Sequence, residues 1–145
     1  MILNPGSIVP HKGKMLLLSR IISYDLEEQT LCAEYDITEN CIFYDPVIEG
    51  VPAWVGFEFI AQAIAALSGL RGHESGEEPK IGYILSVSSM QIDCHFFQAG
   101  NTVQINVKES GCMDEVHNFE GTVFLEGKKV LDGKLTVIVD SKIKT

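Results

Sequence analysis

Basic residues are scarce in this chain of 145 residues: 11 Lys and Arg stand against 20 Asp and Glu, for a net charge of −9. So negative a surface repels phosphate backbones and anionic headgroups, which argues against nucleic acid or a membrane surface as the main partner. The N-terminus, MILNPGSIVPHKGK, lacks a basic start followed by a long apolar core. The expectation is a cytoplasmic protein without a secretory signal. Cysteine is sparse and unpatterned. Cys32, Cys41, Cys94 and Cys112 contain no C-x-x-C pair, and no His stands at metal-ligand spacing from another His or Cys. Reduced thiols are expected, with no disulfide, zinc site or cofactor. Repeats and low-complexity tracts are also missing.

Apolar residues, by contrast, make up 46% of the chain. That is enough for a core in one domain spanning 1–145. They concentrate in 50–72, GVPAWVGFEFIAQAIAALSGLRG, where Glu58 is the one charge between Val51 and Leu70. Because the apolar positions fall on every side, a helix here must be buried all round. Its length touches the lower limit for crossing a bilayer. Glu58 and Gln62 on one face, interruptions at Gly56 and Gly69, and strand-like alternation afterwards speak against a membrane span.

Pro52 suits the first helical position, and neither Gly50 nor Val51 brings a capping side chain. The free amides and positive helix end there can hold a carbonyl oxygen that gains negative charge, or can simply be capped by water or Gly50. Arg71 and Gly72 suit the helix C-terminus.

Around the helix, 15–23 reads as a short helical turn or a buried strand. Leu31, Ala33, Tyr35 and Ile37 alternate as a half-buried strand after an acidic turn at 25–28. The polar stretch 71–80 reads as an exposed loop. Beyond it, Tyr83, Leu85 and Val87 alternate before the phase shifts to Met90, Ile92, Cys94 and Phe96, which predicts a bulge at Ser88 and Ser89. Val103, Ile105 and Val107 form another strand; Phe119, Val123 and Leu125 lead to a turn at Glu126 and Gly127. A last strand carries Leu135, Val137 and Val139, with a bulge at Gly133. One early helix and many antiparallel strands imply an α+β fold in which a curved sheet wraps the helix, with dimerisation covering the remaining edges.

GFEFIAQAIAA resembles the helix motif of the hot-dog-fold beta-hydroxyacyl-[acyl carrier protein] dehydratases. VPHKGKMLLLSRI is similar to their opening, and FFQAGNTVQINV with GTVFLEGKKVLDGKLTVIV to their last strands. YDP followed by GVPAWVG looks like the ApeP-like branch associated with aryl-polyene pathways. The resemblance implies a hot-dog fold acting on an acyl thioester carried by acyl carrier protein or coenzyme A, in a homodimer or a heterodimer with another hot-dog protein. It places Glu58 on the family's catalytic carboxylate and Gln62 on the Gln that follows, while Tyr44 falls where the family has its catalytic His. His11 matches a family His for which packing is the expected role.

Catalysis is thereby assigned to Glu58 and Tyr44, and substrate binding to Gly50, Pro52, Ala53, Trp54 and Gln62. The expected activity is removal of water from a 3-hydroxyacyl thioester to give a trans-2-enoyl thioester. A non-catalytic partner subunit and a thioesterase are the alternatives, since the fold serves all three. Trp54, Phe57, Phe59 and Phe96 are candidate walls of an acyl tunnel. Lys12, Lys14, Arg71 and Lys80 are candidate contacts for an acidic carrier protein. His73 and His117 read as solvated.

Overall fold

The computed structural model describes residues 3–74, 76 and 81–140. Its strands are β1 (Arg20–Asp25), β2 (Thr30–Asp36), β3 (Gly50–Pro52), β4 (Ile81–Ile92), β5 (Phe96–Gln98), β6 (Thr102–Met113), β7 (Val116–Leu125) and β8 (Lys128–Asp140); its one α-helix is α1 (Gly56–Glu74). Six strands form an antiparallel sheet in the order β1-β2-β6-β7-β8-β4, and β3 pairs with β5 separately. The helix lies against this sheet, and the architecture is the hot-dog fold.

Burial of α1 follows from its composition. Phe59, Ile60, Ala63, Ala66 and Leu67 are sealed against Ala33, Ile105 and Val123 of the sheet within one core. Phe59 is held between the rings of Tyr35 and Phe97, at centroid distances of 5.3 and 5.5 Å. Close approach depends on glycine: a Cβ on Gly121 would stand 2.5 Å from Ile60 Cγ2. Any side chain there would push the helix off the sheet. The span Ala53–Glu74 is long and apolar enough to cross a membrane, yet 67% of its most apolar window is buried in the domain.

Three local expectations need correction. Pro52 ends β3 rather than starting the helix, because Gly50, Val51 and Pro52 pair with β5; a 3-10 turn over Ala53–Val55 then feeds α1. Gly72 is helical, and α1 continues to Glu74; positive φ appears at Gly76 instead. Of the loop expected over 71–80, residues 71–74 are instead the last turn of α1, and 75 and 77–80 lie outside the described residues.

Gly133 is no bulge. The β7–β8 register slips between Val123 and Phe124, next to the turn, while Gly133 stays in the ladder and makes room for Met90, whose Cε would be 2.8 Å from an added Cβ. The expected break in β4 is real, with a slip between Val87 and Ser89 and a second between Ile84 and Ser86. Because β4 ends the sheet, Tyr83, Ile84, Leu85 and Val87 are all exposed, which single-face alternation did not anticipate.

The undecided stretch 15–23 divides into a 3-10 turn over Gly13–Met15 and the start of β1. Ahead of it, a 3-10 turn over Pro5–Ser7 is capped by Asn4, whose side chain accepts the Gly6 amide at 2.9 Å. This N-terminal segment packs directly on α1. The backbone oxygen of Ile8 would meet a Cβ at Gly69 at 2.5 Å.

Candidate active site

Glu58, Ala61, Ala65 and Ser68 recur every three or four residues and so share one side of α1, the side left half-buried. Together with Ile8, Pro10 and His11 from the N-terminal segment, and Gly82, Tyr83 and Ile84 from β4, they enclose a cavity of about 360 Å³. The small side chains of Ala61, Ala65 and Gly69 create the space. Apolar residues line most of it, and Glu58 and His11 supply charge-bearing chemistry, an arrangement suited to a small ligand with an apolar portion.

Glu58 sits in the first turn of α1, where the helix dipole favours a carboxylate. Its Oε1 accepts a hydrogen bond from Gln62 Nε2 at 3.3 Å and lies 3.9 Å from His11 Nε2. The second distance is too long for a hydrogen bond. Both side chains are about one-third exposed or less, at 34% and 27%. His11 Nδ1 is buried and finds no hydrogen-bond partner among the described residues. A buried ring nitrogen in that condition costs stability unless a ligand or water satisfies it.

Gln62 works behind the cavity. It is 1% exposed; its Oε1 accepts the Leu17 amide at 2.7 Å and its Nε2 donates to the Met15 carbonyl at 2.8 Å. These bonds tie the segment that follows His11 to α1. Gln62 thus positions the His11 side of the cavity and steadies Glu58.

The other sequence-assigned residues gather elsewhere. Tyr44, Gly50, Pro52, Ala53 and Trp54 are not among the described residues lining the cavity. Gly50 is buried against the Phe97 carbonyl, which would be 2.3 Å from an added Cβ, and exchanges backbone hydrogen bonds with Asp45. No side chain caps the 3-10 turn, as expected, but the Ala53 amide donates to the His95 carbonyl at 3.3 Å. Trp54 packs edge-on to Phe43 and is 60% exposed. Burial, followed by the nearby carboxylates of Glu39, Glu49 and Asp45, raises the Tyr44 phenol above its ordinary value. That direction leaves even less phenolate to act as a base near neutral pH. The proposed tunnel walls Trp54, Phe57, Phe59 and Phe96 do not line this cavity either.

Comparison with known proteins gives this geometry a family. The model of the ApeP-like proteins, described as ApeP dehydratase, matches residues 3–145. The chain belongs to the ApeP-like dehydratase family. A 3-hydroxyacyl-[acyl-carrier-protein] dehydratase FabZ of Protochlamydia amoebophila is 29% identical over 82 residues, 57% of this chain and 53% of that enzyme. The match thus spans about half the length of the curated relative. The dehydratase heterocomplex ApeI:P from Xenorhabdus doucetiae superposes with a TM-score of 0.87 at 22% identity, covering 97% of this chain and 93% of that one. A hypothetical thioesterase with coenzyme A from Streptococcus pneumoniae gives a TM-score of 0.64 at 10% identity, covering 83% and 84%. These two structural likenesses establish the fold.

In this ApeP-like chain the cations expected to meet a carrier protein are separated. Lys12 and Lys14 follow the cavity residue His11 in the chain, whereas Arg71 binds Glu109 near the far end of α1, and Lys80 lies outside the described residues. His117 is not solvated: it pairs with Glu109 and is 17% exposed. Glu109, Cys112 and His117 are the one set of three metal-ligating side chains found within 4.8 Å of one another among the described residues. Sequence reasoning passed over His11 because its partner Glu58 lies 47 positions away. The signal that could have found it was the VPHKG motif itself, whose His was assigned to packing.

Proposed function

We propose that this protein takes part in dehydration of a 3-hydroxyacyl thioester, with Glu58 as its principal acid–base group and His11 as the second. The observation that carries this reading is Glu58 Oε1 standing 3.9 Å from His11 Nε2 at a cavity with a mainly apolar lining. Removal of water needs one group to take the C2 proton and another to deliver a proton to the C3 hydroxyl as it leaves. A carboxyl and an imidazole side by side can divide these two duties. Since they do not hydrogen-bond to each other, both can turn to the substrate. The acyl chain lies along Ala61 and Ala65, and Gln62 keeps the Glu58 carboxyl aimed outward.

A hot-dog partner completes the site. The free edge strand β4 exposes Tyr83, Ile84, Leu85 and Val87, and Tyr83 and Ile84 also line the cavity. Val47 and Trp54, 89% and 60% exposed, are further apolar surface close to Tyr44. The solved ApeI:P heterocomplex supports a second hot-dog chain covering such surfaces. A partner-only role is the second reading, favoured by Tyr44.

The test is a chromatographic assay with a 3-hydroxyacyl-carrier substrate, using the purified chain alone and with a co-expressed hot-dog partner. Formation of the enoyl thioester that depends on Glu58 supports the proposal. Turnover by the pair that survives loss of Glu58 leaves the partner-only role, and release of free thiol without enoyl product means thioester hydrolysis.

A further inference from the structure

The β6–β7 hairpin carries a second group of reactive side chains close to the C-terminal end of α1. Cys112 and His117 are directly opposed across the ladder, so both side chains rise from the same face. Glu109 shares that face, being opposite Phe119, two residues along β7 from His117. In a regular strand, residues three apart such as Glu109 and Cys112 point to opposite faces. The register slip between Glu109 and Gly111 adds one residue and turns both to the same side.

Their donor atoms converge. Cys112 Sγ lies 3.8 Å from His117 Nε2, Glu109 Oε1 contacts His117 Nδ1, and donor atoms of all three fall within 4.8 Å of one another. Arg71 binds the other oxygen of Glu109, Oε2, at 2.7 Å and leaves Oε1 directed at the group. The carboxylate is nearly sealed, with a 3% exposed side chain; His117 is 17% exposed, and Cys112 faces solvent. The group is therefore anchored at its buried end and reachable at its sulfur end.

We infer that Glu109, Cys112 and His117 form a binding site for a borderline divalent transition ion such as zinc. Thiolate, imidazole and carboxylate together are a zinc donor set, whereas calcium and magnesium take oxygen ligands. A tetrahedral ion with bonds of about 2.0–2.3 Å holds its nitrogen and sulfur ligands roughly 3.5 Å apart, close to the 3.8 Å between His117 Nε2 and Cys112 Sγ; Glu109, which meets the other ring nitrogen, Nδ1, has to swing towards Nε2 to join them on one ion. Three protein ligands leave a fourth position for water. Arg71 steadies the carboxylate from outside, as outer partners of metal ligands do. Arg71 follows Glu58 by 13 residues, or roughly 20 Å along the helix, so this site stands well away from the Glu58–His11 pair. Bound metal would clip the hairpin, through Glu109 and Arg71, to the end of α1.

Titration of the full-length, metal-stripped protein with Co(II) tests the inference. The expected result is one equivalent bound, a near-ultraviolet thiolate-to-cobalt charge-transfer band, and intense visible bands typical of four-coordinate cobalt. Cys112→Ser, at an exposed position that spares the core, is expected to abolish the charge-transfer band, and Cys112→Ser and His117→Asn each to weaken binding by about tenfold or more. Zinc is expected to raise the thermal midpoint of the native sequence and not that of Cys112→Ser. Cys94→Ser, remote in sequence from the group, is expected to leave the spectrum unchanged. Absence of the charge-transfer band, or cobalt binding that persists at full strength in folded Cys112→Ser and His117→Asn, would overturn the assignment.

Discussion

Gln62 Oε1 accepts the Leu17 amide at 2.7 Å, a hydrogen bond between residues 45 apart that joins the core helix to the strap carrying His11. With the Met15 bond beside it, this contact decides where the strap lies. Gln62→Leu would leave the buried Leu17 amide without a partner, at a cost of about 1–3 kcal/mol, and would hand the part-buried Met15 carbonyl to water. The expected outcome is a lower denaturant midpoint with an unchanged slope, measured by urea unfolding. A midpoint equal to that of the native sequence would mean that the strap is held by other contacts.

His11 is expected to matter for turnover rather than folding. Replacing it with Asn removes the imidazole facing Glu58 while keeping a side chain of modest size. A general acid–base group typically contributes about 10²–10⁴-fold, so kcat on a 3-hydroxyacyl thioester should fall within that range. Tyr44→Phe, outside the cavity lining, should change kcat far less in the isolated chain. A reversed ranking of the two variants would return catalysis to the segment before the helix.

If the acyl chain occupies the cavity as proposed, Ala65 governs how much of it fits. Its methyl group lies on the half-buried side of α1 among the lining residues. Ala65→Leu should restrict turnover to shorter acyl chains without altering the product, as read by competition between short and long 3-hydroxyacyl substrates. An unchanged preference would place the acyl chain elsewhere.

Asp36 gives the fold a dependence on acid. Hydrogen bonding to Arg20, and secondarily to Thr102, holds its carboxyl below the ordinary carboxylate range. A depressed folded-state value means that the stabilisation is complete above the unfolded value, about 3.9, and disappears as pH falls through the lower folded value. Asp36→Asn should therefore lower the thermal midpoint at pH 7 and flatten its decline below about pH 4. Because the side chain is 43% exposed, the effect should be small and weakened by salt.

The fold was legible because its strongest patterns are local. A charge-poor run around Glu58 and the alternation in β2, β6 and β8 determine which faces are buried, and the hot-dog arrangement follows from covering one such helix with one sheet. Pro52 was misread because pairing with β5, a contact across more than 40 residues, overrides its preference for a first helical turn. Gly133 was misread for a similar reason: its small size serves Met90 on the neighbouring strand.

Glu58 could be picked out as the one charge between Val51 and Leu70, and it does face the cavity. His11 and the Glu109–Cys112–His117 group could not be paired by spacing, since one needs the strap tied down by Gln62 and the other needs a strand bulge. Such geometry exists only after the chain has folded.

In the proposed reaction the Glu58 carboxyl performs proton transfer on a hydroxyacyl thioester. The most direct measurement is single-turnover enoyl formation by Glu58→Gln, which keeps the shape of the side chain but can no longer exchange a proton, assayed in the same partner complex as the native sequence. The account predicts a loss of at least about 10²-fold with unchanged thermal stability. Enoyl formation at the native rate by the folded variant would contradict it.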